Sequence, residues 1–294
     1  MCAMLPRSMT LFAVGLGMAA LAGAAMPLSS NLPQRIVSFS PALTELLFAA
    51  GAGPRIVGVS DFCTFPPEAR TCKKVGGTIN PNFEVLLSLK PDLVVLHGEM
   101  DTVKRFCSLY HINYRSFAPD SFSSITNTLQ EMGELTGLSA TARVVRTAIA
   151  ERWDAVRTAH TNRLPVPAFI SIWRETDRIA SFTIPSHNSF IMEALRAAGG
   201  SNVCADVIGN YPTVTLEVLM RRRPRIVFDI APSPLPHGDL AGYMRAWEPV
   251  RRTRMGRGMV IVPITNAYAL IPGPRMVELA EEFARALDAV SNLR

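Results

Sequence analysis

The chain has no Cys-x-x-Cys pair, no Gly-x-Ser-x-Gly elbow, no His-Glu-x-x-His pair and no phosphate-cradling glycine-rich loop. The first omission argues against a redox dithiol or a structural zinc site. The others remove the usual marks of a serine hydrolase, a zinc protease or a nucleotide-dependent enzyme. The five histidines (His97, His111, His160, His187 and His237) do not cluster in sequence. Charged residues make up only 18% of the chain, and its lysines and arginines are scattered, so the net charge of +6 forms no nucleic-acid motif. Nothing after residue 24 is apolar over the ~20 residues that a membrane helix needs. What remains is globular: 48% of residues are hydrophobic, and 294 residues suffice for two domains with a large core.

Residues 1–24 read as a secretory signal. Arg7 is their one charge, residues 9–22 are apolar, and Ala22-Gly23-Ala24 suits cleavage after small residues. An uncleaved anchor is the alternative, although the run is short for a span. No cysteine follows Leu21, which argues against a lipid anchor there. Export to an oxidising compartment, most simply a periplasm, is therefore expected. Cys2 falls in the signal, and Cys63, Cys72, Cys107 and Cys204 allow three pairings. Cys63 and Cys72 bracket a Pro-Pro loop that a disulfide would close. Cys107 and Cys204 read as small buried thiols.

One stretch occurs twice. Residues 83–97 (FEVLLSLKPDLVVLH) and 216–230 (LEVLMRRRPRIVFDI) align at an offset of 133, matching Glu84 with Glu217, Val85 with Val218, Leu86 with Leu219 and Pro91 with Pro224. Each copy reads as a short helix, a proline stop and a strand covered on both faces. Around the copies, strands expected at 35–39, 56–59, 113–117, 168–172, 178–181 and 259–262 alternate with helices expected at 41–50, 101–109, 121–136, 189–198, 240–247 and 274–290. That alternation indicates parallel, doubly wound sheets. Residues 139–162 hold no Gly or Pro, and Val145, Ile149, Trp153 and Val156 form one apolar stripe. This is one helix of ~34 Å at 1.5 Å per residue, midway between the repeat copies. The expected architecture is two α/β lobes (residues 35–137 and 164–294) joined by a backbone helix (138–163), with a ligand cleft between the lobes.

Residues 35–48 (RIVSFSPALTELLF), 51–60 (GAGPRIVGVS), Phe65-Pro66-Pro67 and 83–95 together resemble the first lobe of class III periplasmic binding proteins. Residues 189–203, 211–227 and 262–287 resemble the second. The likeness covers nearly the whole chain after the signal. It implies a receptor that delivers a cobalamin, ferric siderophore, haem or related chelate to an ABC importer, with no catalysis and no resident cofactor beyond the cobalt or iron of the ligand. It also implies a monomer with nearly rigid lobes.

The resemblance assigns Glu84 and Glu217, one on each lobe, to docking on arginines of the permease subunits. An anion in a first helical turn is favoured by the helix dipole, and carboxylate–Arg bonding is directional. Glu217 has a second use open to it, an i,i+4 pair with Arg221; Glu84 has Ser88 at that spacing. By motif, the cleft positions are Phe62, Thr78, His97, Trp173, Tyr211 and Tyr268. Thr78 and His97 depart from the aromatic pattern of cobalamin receptors, which leaves room for another chelate. His97 follows a buried strand and is either a ligand contact, with axial metal ligation as its sharpest form, or a hydrogen-bonded loop residue. Arg174, beside Trp173, suits an anionic ligand group or the surface. His187 and Glu99 are the other loop candidates. A receptor for bare Zn²⁺ or Mn²⁺ would need three or four convergent His, Asp or Glu ligands, and ranks below a chelate receptor. The run Arg221-Arg222-Arg223-Pro224-Arg225 reads as a solvated helix end, where cations are favoured.

Overall fold

The structure, a computed structural model, describes residues 32–231, 234–235 and 238–292. The expected signal over residues 1–24 lies outside these. No described helix is long and apolar enough to cross a membrane.

Five strands form the first sheet: β1 (Ile36–Ser38), β2 (Ile56–Val59), β3 (Lys73–Lys74), β4 (Leu93–His97) and β5 (Tyr114–Phe117). Their order is β3-β2-β1-β4-β5, and every pairing is parallel. Because β1 is flanked by β2 on one side and β4 on the other, the winding reverses between β1 and β4. Ligands of open parallel sheets bind outside the carboxyl ends at such a reversal. Helices α1 (Pro41–Ala49), α2 (Phe83–Ser88), α3 (Asp101–Leu109) and α4 (Phe122–Thr136) make the crossovers. Local chemistry sets their ends. Pro41 opens α1, Asn82 Oδ1 accepts from Val85 N at the start of α2, Ser121 and Ser124 cap α4 reciprocally, and Gly137 closes α4 in the left-handed region.

The apolar stripe of the long segment becomes α5 (Ser139–His160), 22 residues with Ala142, Ile149 and Trp153 buried. It lies against α4 so closely that a Cβ on Gly133 would sit 2.4 Å from Ala142 Cβ. The second half carries β6 (Val166–Ser171), β7 (Trp173–Arg174), β8 (Ser181–Thr183), β9 (Gly200–Asn202), β10 (Thr213–Thr215), β11 (Ile226–Ile230) and β12 (Val260–Ile264). A parallel sheet runs β12-β11-β6-β9, and an antiparallel sheet runs β10-β8-β7. The winding reverses again, between β6 and β11. Around these sheets pack α6 (Phe190–Ala197), α7 (Leu216–Arg222), α8 (Leu240–Arg245), α9 (Glu248–Arg252) and α10 (Met276–Ser291).

Two expectations are corrected. The strand expected at 178–181 lies at Ser181–Thr183, where it pairs with β7 and β10; residues 178–180 before it are irregular, with Ile179 buried. The helix expected at 240–247 ends at Arg245, and a second short helix that Pro249 helps to open follows at Glu248–Arg252.

Beside a separate cluster that takes in Phe182 and Val214 of the antiparallel sheet, the two parallel sheets share one apolar core. It runs from Ile36, Leu43 and Val59 through Leu129, Met132, Ile149 and Trp153 to Ile170, Phe228 and Phe283 without a break. Trp153 of α5 stacks on Phe122 of α4 with ring centroids 4.6 Å apart.

Candidate functional site

The two copies of the repeat adopt the same course. Each short helix ends in a left-handed residue, Lys90 (φ 45°) or Arg223 (φ 48°), and a buried strand follows. Glu84 and Glu217 sit exposed in the first turns of α2 and α7. Glu217 pairs with Arg221 at 2.9 Å. No ion pair involves Glu84 among the described residues. The arginine run is held locally: Arg222 pairs with Asp206, and Arg225 donates to Val290 O.

The loops that leave the carboxyl ends of the strands carry large exposed apolar side chains. Phe62 follows β2, Ile79 follows β3, Trp173 opens β7 two residues after β6, Ile208 and Tyr211 follow β9, and Leu270 follows β12. Phe62 is 69% exposed and Ile79 98%. Exposed apolar groups gathered in one set of loops mark a binding surface more often than chance does. Ile79, Ile208 and Leu270 were not legible as site residues, because a lone aliphatic in a loop carries no pattern. Thr78, beside Ile79, is exposed. Tyr211 holds φ 55°, a conformation that costs a bulky side chain about 1–3 kcal/mol and persists where surroundings impose it. Its backbone N–H donates to Ser186 Oγ at 3.1 Å.

His97 ends β4 at the winding reversal, in register with Phe117, and is exposed. Gly98 turns the chain with φ 63° and donates to Phe117 O at 2.8 Å. Glu99 is engaged by Lys104. His187 lines a groove of about 440 Å³ with His160 of α5 and Arg196 of α6, among other residues; it is not brought to His97. No group of three or more His, Cys, Asp or Glu is placed to hold a metal ion among the described residues.

Tyr268 is half-buried. Its hydroxyl donates to Glu282 Oε2 at 2.7 Å and accepts from Asn266 Nδ2 at 3.0 Å, so the ring, not the hydroxyl, is available. Burial and the Glu282 carboxylate push its pKa up. Beside it, Arg275 makes a forked bond to Glu45 of α1, at 2.6 and 2.9 Å, under the Phe65 ring at 3.7 Å. This pair ties α1 to the start of α10 across the lobe boundary. A second tie runs from Phe122 N to Glu193 Oε2 at 2.6 Å. Sequence gave no hint of either, since the partners lie 230 and 71 residues apart.

Two site expectations are overturned. Arg174 is not a ligand contact: it and Asp229 are fully buried as a pair, 2.9 Å apart. Its guanidinium also donates to Glu175 O, Thr176 O and Tyr243 O and lies 3.8 Å from the Tyr243 ring centre. Tyr243 OH and Trp247 Nε1 donate to the same carboxylate. Consecutive strand residues face opposite ways, so exposing Trp173 buries Arg174. The Cys63–Cys72 disulfide is not formed; both thiols are free. Cys63 is buried between Ser60 and Thr44, whose hydroxyls lie 3.1 and 3.2 Å from its sulfur. Cys72 turns to the carbonyls of Ile56 and Glu68. Burial pushes both thiols up.

Residues 36–229 match the model of the periplasmic binding protein family. The chain belongs to that family. The vitamin B12-binding protein of Vibrio cholerae serotype O1 is 28% identical over 224 residues, covering 73% of this chain and 75% of that protein. Among solved structures, the periplasmic vitamin B12-binding protein of Vibrio cholerae superimposes with a TM-score of 0.70 at 20% identity, over 88% of this chain and 98% of that one. A periplasmic haem-binding protein from a Roseiflexus species gives 0.73 at 22% identity, over 88% and 99%. The two-lobed fold expected from the sequence is thus the fold of periplasmic binding proteins, which are transport receptors.

Proposed function

We propose that this protein is the periplasmic receptor of an ABC importer and that it captures a metal chelate, cobalamin or a related corrinoid, between its lobes. The observation that carries the reading is the set of exposed apolar side chains on the strand-end loops of both sheets, in a chain whose curated relative binds vitamin B12. Flat faces of Phe62, Trp173 and Tyr211 suit a broad, largely apolar ring system. Residues 35–137 and 164–294 act as the two lobes, and residues 138–163 hold them. Glu84 and Glu217 are the docking carboxylates, and residues 1–24 are removed on export. The cobalt or iron arrives with the ligand.

A second reading, haem, is favoured by one observation. His97 is exposed at the winding reversal, where an imidazole would meet an open axial position of iron.

Titrating the mature protein with cyanocobalamin, haemin and ferric siderophores, followed by tryptophan fluorescence, tests both. Trp173 is 56% exposed and so suited to report binding. Saturable one-to-one quenching by cyanocobalamin is the expected result. A response to haemin alone, lost in His97→Ala, establishes the second reading in its place. Silence towards all of them overturns both.

A further inference from the structure

The strand-end loops combine apolar surface with an uneven treatment of charge. Their basic side chains are turned to other work. Lys74 donates to Ser60 O and Cys63 O, Arg174 is sealed against Asp229, Arg178 faces Glu175 at 3.9 Å, and Arg275 is forked onto Glu45. Residues 231–239, which follow β11, and 265–274, which follow β12, contain no lysine or arginine.

Asp120 is different. It closes the loop after β5, next to the strand that ends in His97, and it is exposed. Its backbone N–H is anchored on Ser124 Oγ at 3.0 Å. Two residues on, Phe122 N bonds Glu193 of the other lobe, so Asp120 stands on the line where the lobes meet. Burial raises its pKa, the Phe190 backbone and His97 lower it, and the nearby Glu193 carboxylate raises it again. The Tyr211 phenol of the second lobe, already raised by burial, is raised further by this carboxylate. Asp120 therefore brings a carboxylate to the lobe boundary, at the carboxyl end of the strand beside the one that ends in His97.

We propose that Asp120 is a specificity-determining residue of the cleft, selecting a chelate edged with carboxamides over one edged with carboxylates. This rests on the chelate-receptor reading above. An ionised carboxylate offers about four acceptor sites. An amide N–H meeting one of them makes a charge-assisted bond. A ligand carboxylate meets like charge instead, with the basic side chains of the strand-end loops engaged elsewhere, and that repulsion is what discriminates. Corrinoids with acetamide and propionamide arms fit this rule. A porphyrin dipropionate does not.

Two matched pairs of probes test it: cyanocobalamin against cyanocobalamin with one peripheral amide hydrolysed, and haemin against haemin with both propionates amidated. Each is titrated into the wild type and Asp120→Asn. Asparagine keeps the shape and an acceptor oxygen while removing the charge, and an unchanged thermal midpoint checks the fold. The wild type is expected to prefer the amide form of whichever pair it binds by about fivefold or more, and Asp120→Asn to lose most of that preference. Equal wild-type affinity within a pair, or a preference that survives in Asp120→Asn, overturns the role of Asp120 and leaves the chelate reading standing. Binding of none of the four overturns the chelate reading and this inference with it.

Discussion

Arg174 and Asp229 show how much one pair of side chains can ask of a core. Both are fully buried, and the carboxylate holds a tyrosine, a tryptophan and an arginine in place. Arg174→Met strands a buried carboxylate, which costs about 3–5 kcal/mol. Urea denaturation should show that loss, while the ligand affinity of the folded fraction stays unchanged. Glu45 makes a different prediction. Burial raises its pKa above 4.5 by more than Arg275 lowers it. A group that holds its proton more tightly when folded contributes stability that is complete below its unfolded pKa and lost as pH rises through its folded pKa. Stability measured against pH should fall across that window in the wild type and fall less in Glu45→Gln. At this scale the sequence was only partly legible. Trp173 was assigned by motif alone and is exposed, but its neighbour Arg174 was placed beside it when strand alternation sends it inward. The Asp in the buried run Ile-Val-Phe-Asp-Ile demanded a partner without naming one. Glu45 and Arg275 meet only because α1 and the start of α10 meet.

Elements were far more legible, because their signals are local. Capping serines, a proline at the first helical position and left-handed glycines fixed the ends of α1 and α4 within a residue or two. The 133-residue offset extends to the backbone conformation of Lys90 and Arg223. What periodicity could not show is how closely elements approach. Gly133 is a poor helix residue by propensity, and its reason is Ala142, 2.4 Å from where a Cβ would stand. Gly133→Val should overpack this contact and cost about 1–3 kcal/mol. Adding Ala142→Gly should recover part of it, and a double-mutant cycle of denaturation midpoints checks the coupling.

On the scale of the molecule, the two proposed docking carboxylates differ. Glu217 already holds Arg221, an exposed pair worth little, whereas Glu84 stands ready. Glu84→Arg with Glu217→Arg should abolish uptake through the reconstituted importer while leaving ligand affinity intact; of the single variants, Glu84→Arg should cost more. The apolar core passes from one sheet to the other through α4 and α5, and two polar ties cross the same boundary. Unfolding followed by fluorescence and by circular dichroism should therefore give coincident transitions.

The same unbroken core bears on delivery. A receptor with a slack hinge opens by itself and lets its cargo diffuse away. Here, parting the lobes means tearing Glu193 from Phe122 and Glu45 from Arg275. In the proposed receptor, releasing the cargo therefore takes mechanical work from the importer, which must break these ties. Turnover in such a system follows the importer's capacity for that work more closely than the grip of the cleft.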